Sequence, residues 1–456
     1  MRTSAIIELF KDFLIVGIIL SAIFLVGLYI QRKRGRLKEF SLKQILSSVL
    51  FICYLAVVIG ATLLFRVSYG RVGIVNLELF SAYKDAWYHW SMTEWRDLVL
   101  NILLFVPMGF LIPIVFKHLQ KFWQVYLLGF AASLGIETIQ YIIGMGNADI
   151  DDLFNNTMGT LIGYGLWFLC FSMIHKTKNL RKIFVFQLPL ILMIGVFGGL
   201  FMKYQLSPYG VYNTQRMAQN DVSGIEISTN IQFKKDSVKV PIYHTKTYTK
   251  EEVEKYADNF FKKLGTSVDP SQNDFYETTA LFWSENQKYS IWVNYVGETV
   301  SFTDVSVMEE PYCMTFDQDK AVEILGNYGI ALPKGISMKV DAESEEYSFT
   351  VDGSINKNEM ISGSLSCKIT KEGMIESLRN NMIRSERYEE VDCISEEEAY
   401  NYIKEGKFYC SVDISKDIHI KSVTLDYTLD SKGYYQPVYR FVLDDEEMIE
   451  IPAMKK

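Results

Sequence analysis

The stretch "ETIQYIIGMGNADIDDLFNNTMGT", residues 137–160, sets a glutamate and a glutamine inside an apolar run. It then places three aspartates and two asparagines within eight residues, 149–156. The chain on either side is apolar for the length of a membrane helix, so the stretch reads as the end of one span and the start of the next. A bilayer helix needs about 20 apolar residues. Six such runs occupy the first 202 residues, at roughly 13–30, 42–65, 98–116, 122–143, 153–174 and 183–202. Buried core helices of a soluble protein are the competing explanation. Six runs in succession, with the charges confined to the gaps, leave little room for it.

The first run resembles a secretory leader only superficially. Its basic cluster, "QRKRGRLK" at 31–38, follows the apolar segment instead of preceding it, and no small-residue cleavage site appears. It is expected to be a retained span with its N-terminus outside. Charge then divides the chain in two. Residues 1–202 carry 18 Lys and Arg against 11 Asp and Glu, whereas 203–456 carry 28 against 43. A basic, apolar membrane domain (1–202) is therefore expected to precede an acidic α+β domain (203–456).

Basic residues cluster in alternate connections: Arg32, Lys33, Arg34, Arg36, Lys38 and Lys43 in the first, Lys117 and Lys121 in the third, and Lys176, Lys178, Arg181 and Lys182 in the fifth. The 144–152 connection holds three aspartates and no basic residue. The positive-inside rule puts the three basic connections, the first, third and fifth, in the cytoplasm. The N-terminus, the 66–97 and 144–152 loops and the C-terminal domain are then extracytoplasmic. In the 66–97 loop Arg66, Arg71, Lys84 and Arg96 are balanced by acids, and Trp87, Tyr88, Trp90 and Trp95 suit the headgroup level.

With that topology Glu137 and Gln140 lie in the outer turns of the fourth span, on one face with Ser133 and Tyr141. Asp149, Asp152, Asn155 and Asn156 open the fifth span, and Asn101 lies in the outer part of the third. An ionisable group inside a membrane costs about 2.5–3.5 kcal/mol on insertion scales, which makes it a functional candidate. Asn101, Glu137, Gln140, Asp149, Asp152 and Asn156 are accordingly the expected ligand-binding set, with Glu137 and Asp149 the candidates for any catalytic step. Structural roles compete with this. Asp151 or Asp152 suits a helix cap, Asn156 suits an interhelical hydrogen bond, and a protonated Glu137 could simply bond Gln140 or Asn156. Gly159-x-x-x-Gly163 reads as a seam for close helix approach. Pro107 and Pro113 each remove a donor, freeing the carbonyls of Leu103 and Gly109 to be met by a neighbour or to line a polar cavity. Glu137 with Asp149, Asp151 and Asp152 would suit a hard cation, but without further ligands no metal is assigned. With no HExxH, CxxC, GxSxG or P-loop pattern, no cofactor is expected either.

Three blocks resemble the VanZ-like family of membrane proteins: "RVGIVNLELFSAY" with Asn76, Leu77 and Phe80; "NILLFVPMGFLIP" from Asn101; and the opening stretch, with Glu137, Gln140 and Asp149-x-x-Asp152-x-x-x-Asn156-x-x-Gly159. The resemblance covers about 40–175. It departs from the family at "GMGNAD", where Asn147 stands and the family often shows an Arg, a contact for an anionic ligand if relatives use it so. The family takes its name from a protein associated with lowered susceptibility to the glycopeptide teicoplanin, so the resemblance implies a bacterial envelope role without naming a reaction.

Beyond residue 203, three helix-like segments open with possible capping boxes at Thr249, Thr315 and Ser395. Alternating strand patterns follow each. Recurrence at about 66 and 80 residues suggests two or three related α+β subdomains, and the last distantly resembles PepSY-like extracytoplasmic modules of Gram-positive bacteria. Cys53 and Cys170 lie in spans. Cys313, Cys367, Cys393 and Cys410 are compatible with free thiols or with any of three pairings.

The apolar runs predict a six-span protein, and the polar residues together with the family resemblance imply that it lies in the bacterial cell membrane, binds an envelope component, such as a lipid-linked wall precursor or a teicoplanin-type glycopeptide, and lowers antibiotic susceptibility. Membrane lipids surround it, envelope proteins are expected partners of the C-terminal domain, and no nucleic acid is expected. Two alternatives stay open. One is an intramembrane enzyme acting on a lipid-linked substrate, with Glu137 or Asp149 as acid or base. The other is an anchored sensor or assembly platform acting through the C-terminal domain.

Overall fold

The computed structural model describes residues 3–34, 41–64, 75–144, 148–176, 179–351, 358–409, 417–444 and 446–455. It divides into two compact units, Met1–Ala86 with Ser91–Ser207, and Trp87–Trp90 with Pro208–Lys456. In the first unit α1 (Thr3–Lys33) and α2 (Leu42–Ile59) form a pair, and α2 ends in a π-helical turn, Gly60–Leu64. A two-residue strand β1 (Val75–Asn76) and a short helix α3 (Ser81–His89) follow. Then come α4 (Met92–Val115), α5 (Phe122–Ile143), a second short strand β2 (Ala148–Asp149), α6 (Ile150–Ile174) and α7 (Leu180–Leu206). Six of these helices are long and apolar enough to cross a membrane. Leu14, Ile18 and Ile23 on α1 and Phe184, Leu192 and Ile194 on α7 stand exposed. Apolar surface of that extent is unfavourable in water and natural in lipid.

Several helices outrun their hydrophobic stretches because capping, not hydropathy, sets their ends. α4 begins at Met92, not near Leu98, since the Ser91 side chain accepts from the Glu94 N–H and carries the helix through "EWRD". α5 ends where hydropathy puts it, at Gly144, whose φ of +65° suits glycine.

The core of the unit is the α4–α6 pair. A Cβ added to Gly159 would lie 2.0 Å from the carbonyl oxygen of Ile102, and one on Gly163 would lie 2.0 Å from that of Val106. From the other side, a Cβ on Gly109 would lie 1.9 Å from the Thr160 carbonyl oxygen. Backbone meets backbone along this seam, as the Gly159-x-x-x-Gly163 spacing leads one to expect. The two prolines of α4 do not interrupt it. Near them, the Tyr54 hydroxyl donates to the Leu104 carbonyl (3.0 Å) and Gln120 Nε2 donates to that of Pro113 (3.1 Å).

In the second unit α8 (Lys250–Lys263) and α9 (Gln318–Asn327) pack on one antiparallel sheet of eight strands. Four strands follow α8 and four lie beyond α9. The two sets join where 300–304 pairs with 375–380, so these two helix-and-strand sets share a single sheet. The buried faces of α8 (Val253, Ala257, Phe260, Phe261) and α9 (Ala321, Ile324, Leu325) meet Phe282, Ile291, Phe302 and Phe349 from it. α10 (Glu396–Lys404) packs against a second sheet of seven strands built mainly from 239–244, 383–392 and 418–452. Thr249 forms a full capping box with Glu252. At α9 the expected cap shifts. Asp317, not Thr315, accepts from the Lys320 N–H (2.8 Å), while Thr315 Oγ1 lies 3.4 Å from Cys313 Sγ. Cys313, Cys367 and Cys393 are free thiols. Cys410 lies outside the described residues, as do Arg36, Lys38, Arg66, Arg71, Asn147 and Lys178.

The segment after α7 is tied to the second unit through Asp430. One carboxylate oxygen accepts from the Gly210 N–H (2.7 Å) and Gln436 Nε2 (2.6 Å), the other from the N–H groups of Lys432 (2.8 Å) and Tyr434 (3.0 Å). Burial raises this carboxyl above the ordinary aspartate range, against the pull of those donors.

Gly163→Leu is expected to lower the thermal stability of the detergent-solubilised protein by about 1–3 kcal/mol, or to prevent assembly, because the intruding atoms meet rigid backbone. Gly135→Ala, where a Cβ meets nothing within 4 Å, should be neutral or stabilising by up to about 1 kcal/mol. Equal melting of G163L and wild type would disprove the close seam. Asp430→Asn turns an amide nitrogen toward donors and should cost about 1–3 kcal/mol, measured as a shift in the unfolding transition of the second unit.

Candidate functional site

β1 and β2 pair in parallel, placing Asn76 opposite Asp149. Asn76 Nδ2 donates to Asp149 Oδ2 (3.1 Å) and to Ser81 Oγ (2.7 Å), while its Oδ1 accepts from the Glu78 N–H (3.1 Å). Asp149 is the N-cap of α6, its Oδ1 accepting from the Asp151 N–H at 2.8 Å. The Asp149 N–H in turn donates to Glu137 Oε2 (3.0 Å). The buried glutamate at the end of α5 therefore meets the backbone at the start of α6. A carboxylate here also sits favourably against the positive end of the α6 dipole.

Asp151 turns the other way. Its side chain is buried and accepts from the N–H groups of Phe80 (2.5 Å) and Ala82 (2.8 Å) and from Ser81 Oγ (3.4 Å). It satisfies free donors at the start of α3, just where Phe80 adopts φ +66°. From the same helix Tyr83 donates through its hydroxyl to Asn155 Oδ1 in a short hydrogen bond. Burial, then the nearby Asp151 charge, push the Tyr83 phenol well above its usual value, so it remains a donor.

Asp152 faces α4, where Asn101 Nδ2 donates to its Oδ1 at 2.5 Å. Asn156, one turn further along α6, donates to Ser133 Oγ on α5 (3.0 Å). Gln140 donates through Nε2 to the carbonyl of Thr62 (2.8 Å), in the π-helical turn that ends α2. π-turns inside helices are frequent at functional sites. Each of these amides leaves one atom over. Gln140 Oε1, Asn155 Nδ2 and Asn156 Oδ1 are buried with no hydrogen-bond partner among the described residues, although the side chains are at most 4% exposed. An unsatisfied buried polar group costs about 1–3 kcal/mol. Three of them, two acceptors and one donor, sit within 17 residues of one another in sequence.

Four of the six expected residues thus meet in pairs where α4, α5 and α6 adjoin. Asn101 joins Asp152, and Glu137 joins Asp149 through its backbone. Gln140 and Asn156 reach Thr62 and Ser133 instead of the carboxylates. Asp151 and Asp149 take capping roles, Asp151 for a helix other than its own. Asn155 has a hydrogen-bonded role with Tyr83, and Thr62 and Tyr83 lie outside the expected set. Asn76 and Phe80 carried a signal only through the family blocks. Among the described residues no group of three or more His, Cys, Asp or Glu side chains converges as a metal site. Asn147 lies outside the described residues.

The sequence model of the VanZ/LLP1 family matches residues 49–171. Protein VanZ of Enterococcus faecium is 30% identical over 154 residues, which make up 33% of this chain and 91% of that protein. Two solved structures also match. One is an uncharacterized protein from Eubacterium rectale (12% identity, TM-score 0.27, 50% of this chain and 86% of that one). The other is the YpeB C-terminal domain of Bacillus megaterium (9% identity, TM-score 0.20, 46% and 95%). TM-scores this low establish no shared fold. The sequence matches do establish kinship, and the family match encloses Asn76, Asn101, Glu137, Gln140, Asp149, Asp152 and Asn156: the chain belongs to the VanZ/LLP1 family.

Proposed function

We propose that this six-span protein of the bacterial cell envelope binds a polar envelope component, a lipid-linked wall precursor or a teicoplanin-type glycopeptide, at the adjoining ends of α4, α5 and α6, and thereby lowers antibiotic susceptibility. The observation that carries this reading is the set of buried orphan amide atoms, Gln140 Oε1, Asn155 Nδ2 and Asn156 Oδ1, on the two helices that also carry the Glu137 and Asp152 carboxylates. A ligand bearing both donors and acceptors would recover the cost of leaving those atoms unmet. Binding is favoured over proton transfer because the Asp149 carboxylate is already engaged as the α6 cap and as the acceptor for Asn76. On this reading membrane lipids surround the spans, and the C-terminal unit meets other envelope proteins.

A susceptible Gram-positive host expressing the wild type should need several-fold more teicoplanin for inhibition than the same host without it. Gln140→Leu and Glu137→Ala should abolish the difference at equal membrane abundance. Equal susceptibility with and without the protein would remove the resistance component. Lipids and glycopeptides captured on the purified wild type but not on Gln140→Leu would identify the ligand. Glu137→Gln and Asp149→Asn should largely keep the phenotype, whereas its loss in both would favour acid–base chemistry.

The basic connections support an extracytoplasmic N-terminus and C-terminal unit. In a chain with its native cysteines replaced, a membrane-impermeant thiol reagent should label a cysteine at Gly144 in intact cells and leave one at Lys178 unlabelled. The opposite pattern would invert the topology.

A further inference from the structure

Within the C-terminal unit the chain passes repeatedly between the eight-stranded and seven-stranded sheets. Beside two of those crossings, 245–249 and 381–382, lies a cleft of about 270 Å³. Lys246, Tyr248, Glu298, Gly329, Ile330 and Arg384 are among the residues that line it. Clefts between packed sub-structures are common ligand sites.

Its lining holds two basic side chains, Lys246 and Arg384, against one acidic one, Glu298. Residues 203–456 carry 43 acidic side chains against 28 basic ones, yet basic groups gather here. Arg384 is exposed, and its guanidinium has no ion pair or hydrogen bond among the described residues, where only its carbonyl is engaged, by Thr245 Oγ1. Lys263, equally unpaired, lays its ammonium against the cleft wall, since a Cβ on Gly329 would lie 1.7 Å from its Nζ. Lys246 lies over the Tyr248 ring at 4.4 Å and pairs with Glu252 at 2.8 Å. The carboxyl inside the cleft is Glu298, which burial pushes above the ordinary glutamate range. Among so many carboxylates, a guanidinium left unpaired at a cleft mouth is suited to an anionic ligand.

We propose that this cleft binds the free carboxylate terminus of a short peptide, with Arg384 donating the paired N–H bonds and Lys263 and Lys246 supplying the surrounding positive potential. The volume equals roughly nine waters, enough for a terminal residue or two. Ile330, Ile361 and Met382 offer apolar wall to a small side chain. A monoanion is favoured over phosphate, whose second charge would face Glu298 and Glu252.

The test is calorimetric titration of the full-length protein in detergent with N-acetylalanylalanine in both enantiomeric forms, its C-terminal amide, and inorganic phosphate. At least one enantiomer of the acid should bind. The amide should bind at least about tenfold more weakly, a difference of about 1.4 kcal/mol. Arg384→Gln should lose the acid by a similar factor, Arg384→Lys should fall between because it keeps charge without the fork, and Lys421→Gln, outside the cleft, should bind like wild type. The proposal is overturned by equal binding of acid and amide, by undiminished binding to R384Q, by tighter binding of phosphate, or by no binding of either acid at millimolar concentration.

Discussion

The membrane unit depends on how the first turn of α6 disposes of its three carboxylates. A helix start presents N–H groups without partners, and in a setting poor in water each must be met by protein. Asp149 meets its own helix, Asp151 meets α3, and Asp152 meets Asn101 of α4. Three residues in one turn of a helix point in three directions, so each carboxylate fixes a different neighbour. Without Asp151, the donors at Phe80 and Ala82 would lose their acceptor, and the 75–83 segment would keep its ties through Asn76 and Tyr83. Glu137, accepting from the Asp149 N–H, then closes the turn onto α5. What resembles an acidic loop in the sequence is the junction of four elements.

That junction requires α4 and α6 to approach more closely than ordinary side chains permit. Glycines at 159 and 163, and at 109 opposite, bring backbone against backbone. Lipid provides no hydrophobic force to draw helices together, so shape complementarity and polar contacts between helices must do it. The glycine seam supplies the first and the Asn101–Asp152 bond the second. Since the seam begins seven residues beyond Asp152, two turns of α6 separate the polar junction from the tightest packing. Stability and polarity are therefore divided along a single helix.

Much of this was legible in the sequence, and the parts that were not fail for physical reasons. Apolar length fixed the number of membrane-length helices, because nothing else in a protein demands about 20 apolar residues in a row. It misplaced the start of α4, where Ser91 caps a turn of polar residues that hydropathy discounts. The glycine spacing and the convergence of Asn101 with Asp152 followed from helical periodicity and depth. The role of Asp151 did not, because its partners are backbone N–H groups some 70 residues away, and backbone donors leave no mark in a sequence. Thr62 was invisible for the same reason. Its contribution is a carbonyl exposed by a π-turn, which side-chain identity does not reveal. In the second unit, local caps at Thr249 and Ser395 were readable, whereas the shared sheet was not, since it rests on pairing between strands about 75 residues apart.

The orphan atoms at this junction have a further consequence for how it is built. Gln140, Asn155 and Asn156 each spend one half of an amide on the protein, binding Thr62, Tyr83 and Ser133. The bonded half fixes the rotamer, so the other half is held in place without a partner. Such an arrangement costs about 1–3 kcal/mol for each atom that neither protein, water nor ligand meets. It also lowers the entropy to be lost when something binds, because the groups are already ordered. If these amides served packing alone, apolar residues of similar volume would pack as well without the penalty. On the proposed reading, a polar guest would complete these three half-used amides.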